Sequence, residues 1–74
     1  MREFNLMKLA LAVKMKRTML GFSQRELGEI VSLSTATIMN LENENNAPDM
    51  LTFIRLCDWL GFEPNDFFTN KRED

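Results

Sequence analysis

Apolar residues recur along this chain with a helical period, and clusters of polar turn residues interrupt them at short intervals. Leu6, Leu9, Val13 and Leu20 follow that spacing and Gly21 supplies a stop, so a first helix is predicted over about residues 5–20. Ser23-Gln24-Arg25-Glu26 has the form of a capping box, in which the Ser oxygen takes an orphan N–H and Glu26 reaches back. A second helix starts there, with Leu27, Ile30 and Val31 as its buried stripe. Ser34 caps a third helix that turns Ile38 and Leu41 inward. The string "ENENNAPD" is rich in turn formers. Asp49 then caps a fourth helix carrying Met50, Phe53, Ile54, Leu56, Cys57 and Leu60, which stops at Gly61. Pro64 suits the first turn of a short fifth helix, from which Phe67 and Phe68 dock back. β-branched residues are few and no stretch alternates, so strands are not expected. The pattern predicts an all-α domain of five helices spanning residues 1–74, with a flexible tail from about residue 70.

Helices two and three are separated only by Ser32-Leu33-Ser34. A turn that short cannot lay two helices antiparallel, so they must cross steeply, as in a helix-turn-helix. Gly28 falls where the second helix passes close to the third, and a side chain there would push them apart. Leu27, Val31, Leu33, Ile38 and Leu41 lock the crossing. Thr35, Ala36, Met39, Asn40 and Asn43 remain outward on the third helix. A helix fits the DNA major groove, where small polar side chains near its N-terminus meet base edges.

Net charge complicates this picture. The 74 residues carry −2 overall with a pI near 5.0, which argues against nucleic acid. The charges are unevenly spread, however. Residues 1–30 hold six cations against three carboxylates, a net +3, while residues 31–74 hold three against eight, a net −5. One half is basic and the other acidic.

Candidate chemistry is sparse. The single cysteine, Cys57, lies on the inner stripe of the fourth helix; it permits no internal disulfide and fits a reducing, cytoplasmic setting. The chain has no histidine, no G-x-S-x-G and no P-loop. No catalytic set, metal or cofactor is therefore implied. The opening "MREFNLMKLALAVKMK" is basic then apolar, but Lys8 interrupts the run and no cleavage site follows, so it reads as an amphipathic helix and not a signal peptide. No run approaches the ~20 apolar residues of a membrane span.

Val13 to Phe68 resembles the Cro/CI-type helix-turn-helix family of phage repressors and small bacterial regulators, also called XRE-like or lambda-repressor-like. "KRTMLGFSQREL" is similar to the end of its first helix and the start of its second, and "LSTATIMNLENE" to its recognition helix. "APDMLTFIRLCDWLGFEPNDFF" is similar to its last two helices. The resemblance implies double-stranded DNA binding through a motif at about residues 23–43. It implies that Thr35, Ala36, Met39 and Asn40 face bases, that Gln24, Arg25, Thr37, Asn43, Asn45 and Asn46 lie near phosphates, and that Gln24 also braces the third helix. It further implies an ion pair between Arg17 and Glu42. Ser32 stands where the family usually has a left-handed glycine, at a cost on the order of 1 kcal/mol, and Glu44 replaces a common glycine. The loop to Pro48 has no Lys or Arg, so modest affinity per domain is expected.

Trp59, Phe62, Pro64 and Phe67 are expected to group as an exposed aromatic patch, suited to a self-complementary homodimer interface. The expected function is a sequence-specific regulator, a repressor acting as a homodimer on a pseudo-palindrome. The alternative is an antitoxin or adaptor whose main partner is another protein. An inhibitor protein, a toxin or RNA polymerase remain open as protein partners.

Overall fold

A side-chain oxygen satisfies an orphan backbone donor at the start of every α-helix, and these caps set where each helix begins. In the computed structural model, which describes residues 2–70, Asn5 accepts from the Lys8 N–H and opens α1 (Leu6–Met19). Ser23 accepts from the Glu26 N–H, and Glu26 accepts from the Ser23 N–H in return, so the capping box is complete at α2 (Gln24–Val31). Ser34 opens α3 (Thr35–Glu42) and Asp49 opens α4 (Met50–Leu60).

The expected fifth helix is not found. Pro64–Phe67 form a single 3₁₀ turn, after which Phe68 is extended (φ −113°, ψ 135°). Phe68–Asn70 then make a short strand, β2, that pairs antiparallel with Arg2–Phe4, β1; Phe4 lies opposite Phe68. This corrects the expectation of no strands. Three-residue strands carry no periodic signal. Their backbone donors and acceptors are satisfied by a partner more than sixty residues away, which local pattern does not reveal. The tail expected from about residue 70 lies outside the described residues except for Asn70, which ends β2.

The core lies where α1, α2, α3 and α4 converge. Leu9, Val13, Leu27, Ile38, Leu56 and Phe67 are fully buried there. Phe4 packs edge-on against Phe53 with centroids 5.3 Å apart, so the sheet covers one flank of α4. Two stripe assignments are corrected. Leu20 and Ile30 are exposed, and Ala10 takes a core position instead. Leu20 sits at the C-cap, where the chain is leaving the helix, and Ile30 is about half exposed on α2. Cys57 is buried, and desolvation pushes its thiol pKa up, as befits a packing residue.

Candidate nucleic-acid interface

The crossing of α2 and α3 depends on Gly28 and Ser32. A Cβ built on Gly28 would lie 2.6 Å from the Leu33 carbonyl oxygen, closer than real Cβ atoms come, so only glycine lets the turn pass. The Leu33 N–H in turn donates to the Gly28 carbonyl at 2.8 Å. Ser32 takes the left-handed conformation (φ 60°, ψ 44°) that reverses the chain at the end of α2. Glu44 is left-handed as well (φ 57°) and ends the turn after α3.

Arg17 and Glu42 form a two-pronged pair, Nε to Oε2 at 2.6 Å and Nη2 to Oε1 at 2.9 Å. Arg17 Nη1 also donates to the Phe22 carbonyl, so one guanidinium joins α1, the α1–α2 loop and the end of α3. The Glu42 hydrogen bonds hold the Arg17 pKa above its ordinary value against opposing desolvation. Gln24 Nε2 donates to Glu42 Oε1 at 3.2 Å and braces α3 from the start of α2. The amide that the resemblance implies near a phosphate is thus already engaged within the fold.

On α3, Thr35, Ala36 and Met39 are exposed, and Asn40 is half-buried one turn on. Asn40 is oriented: its Oδ1 accepts from Asn45 Nδ2 at 3.1 Å, which leaves its own amide N–H groups free to donate. Thr37 is half-buried, and its hydroxyl bonds that of Ser34, 2.8 Å away. Asn43, Asn45 and Asn46 are exposed around the end of α3. Arg25 projects from α2 in a loose pair with Glu29 (3.7 Å), both largely exposed, so the pair contributes little and the cation is available. No Lys or Arg occurs on α3. The surface around the motif is polar but weakly charged.

Phe67 does not belong to the expected exposed aromatic patch. Phe67 is fully buried, stacked on Phe62 (5.6 Å, 28°) and edge-on to Phe53, because the 3₁₀ turn aims it into the core. Trp59 is half-buried against that core beneath the Lys16 ammonium, 4.8 Å from the ring centroid. Phe62 and Pro64 are the two of the four that stay exposed. One residue at the motif gave no signal in the sequence. Arg55 of α4 donates from Nη1 to the Ser32 carbonyl at 3.0 Å and fastens the strained turn from a helix 23 positions on.

Residues 13–67 match the family model HTH_3, described as Helix-turn-helix. An uncharacterized HTH-type transcriptional regulator of Bacillus subtilis, YgzD, is 29% identical over 62 residues, covering 84% of this chain and 94% of that protein. In fold, the chain is similar to the restriction-modification controller protein C.AhdI from Aeromonas hydrophila. The TM-score is 0.68 at 22% identity, over 84% of this chain and 94% of that one.

Proposed function

Since the chain belongs to the Cro/CI-type helix-turn-helix family of DNA-binding transcriptional regulators, we propose that it represses by occupying an operator as a homodimer. The observation that carries this proposal is the α3 face. Thr35 and Ala36 stand exposed at the N-terminal end of a helix whose crossing angle Gly28 dictates, with Met39 exposed and Asn40 oriented one turn on. Thr35 and Ala36 meet base edges, Asn40 donates to one, and Met39 touches a thymine methyl. Arg25, Thr37, Asn43, Asn45 and Asn46 lie toward phosphates, and Gln24 reaches one only by sharing its amide with Glu42. One α3 reads too few bases to select a site alone. Two copies on half-sites ~34 Å apart supply the missing specificity.

The antitoxin or adaptor alternative has its own support: α3 carries no cation and residues 31–74 are net acidic. Selection of bound sites from a random duplex library at two salt concentrations separates operator binding from a pure adaptor; an antitoxin would still bind DNA and is told apart by an adjacent toxin gene. A pseudo-palindrome with half-sites one turn apart is the expected result. Sequence-blind retention that salt abolishes, or none, refutes operator binding.

A further inference from the structure

An open apolar groove of about 540 Å³ runs along the side of α1, closed by the last turn of α4 and the residue after its cap. Leu11, Met15, Met19, Leu20, Leu60 and Phe62 line it. Met19 is 82% exposed and Leu11 and Met15 about half, so this is not the edge of the core but a face that other described residues leave open. No residue of α2 or α3 lines the groove, which leaves the recognition helix free when the groove is filled.

Its charged lining residues are both cations. Lys16 donates to the Trp59 carbonyl and lies over the Trp59 ring, while Lys8 donates to the Asp66 carbonyl (2.7 Å) and lies 5.8 Å from the Phe67 ring centroid. Each ammonium is thereby held at the groove with donors to spare. The ion pairs among the described residues, Arg17–Glu42 and Arg25–Glu29, involve neither lysine. They lie eight positions apart on α1, which is ~12 Å along the axis.

These observations select an occupant. A second copy docking isologously must present the same patch to itself. That would set a lysine-only rim against a lysine-only rim. A segment with an apolar stripe and carboxylates two turns apart complements both the groove and its charges, and unbranched Met15 and Met19 can adapt to its side chains. We propose that the α1 groove is a docking site for an acidic amphipathic helix of a partner protein. The proposal goes beyond DNA recognition and does not depend on it.

The test uses the full chain and a fluorescent helical peptide probe. The probe has leucines along one face and glutamates two turns apart; its control has lysines in their place. The acidic probe should bind, weaken with added salt, and lose about tenfold or more in affinity to Met15→Glu and to Lys8→Glu. Both substitutions fall on exposed side chains, and unchanged far-UV circular dichroism verifies folding. Equal binding of the two peptides, or binding of neither, overturns the proposal. So does sedimentation equilibrium showing a dimer that Met15→Glu dissociates, because the occupant is then a second copy.

Discussion

Replacing Gly28 with alanine sets two opposed effects against each other within one methyl group. Alanine in mid-helix gains about 1 kcal/mol over glycine from backbone propensity. Against that, the new Cβ would lie 2.6 Å from the Leu33 carbonyl oxygen and 3.5 Å from atoms of Ser34 and Thr35. The first obstacle is backbone, not the end of a flexible side chain, and it belongs to the carbonyl that follows the strained Ser32. Relief requires the turn to open by most of an ångström, which stretches the Leu33 N–H to Gly28 bond and tilts α3 away from α2. Overpacking of this kind costs about 1–3 kcal/mol. With propensity offsetting about 1 kcal/mol of it, the expected net loss is up to about 2 kcal/mol. At ~4–8 °C per kcal/mol for a domain of this size, Tm should fall by up to about 15 °C. Thermal unfolding by circular dichroism measures it, and DNA affinity should fall further than stability because the α3 angle changes. A Gly28→Ala protein as stable as the parent, with unaltered site preference, would refute the claim that this glycine sets the crossing.

Other consequences are equally open to measurement. Glu42→Gln leaves the Arg17 guanidinium without its counter-ion at a position only 12% exposed, so urea unfolding should show a loss of about 3 kcal/mol, near the lower end for a broken buried pair; Arg17→Met together with Glu42→Leu should recover much of it. Asp49 and Glu26 have pKa values lowered chiefly by the backbone donors they cap, at Thr52 and Ser23. A depressed folded-state pKa stabilises the fold above the unfolded value and loses that contribution as pH falls through the folded one. Stability should therefore decline as pH drops below the ordinary values of 4.5 and 3.8, and Asp49→Asn with Glu26→Gln should flatten that decline in acid titrations followed by fluorescence of Trp59. Arg25→Ala should weaken binding to all duplexes alike and lower the salt slope by about one, whereas Asn40→Ala should relax preference at one base position; gel-shift titrations across salt and sequence distinguish the two.

The four α-helices and the helix-turn-helix were legible from the chain because their determinants are local. A cap acts within three residues, a stripe repeats every three or four, and Gly28 lies five residues from the carbonyl it must clear. The resemblance pointed to the Arg17–Glu42 pair, which the fold forms directly. What tertiary structure alone decided rests on partners distant in sequence. Nothing near Phe68 marks it as a strand until Phe4 arrives across the sheet. The helical pattern docks Phe67 back while the aromatic grouping exposes it, and only the fold decides that Phe67 enters the core and Phe62 stays out. Arg55 reads as an ordinary surface cation until the fold carries it to the Ser32 carbonyl. Leu11, Met15 and Met19 look like surplus apolar residues on one helix, and they become a groove only when the end of α4 closes its far wall. Local hydrogen bonding and periodicity are written into neighbouring residues; exposure is a property of what packs alongside, and the chain acquires it only on folding.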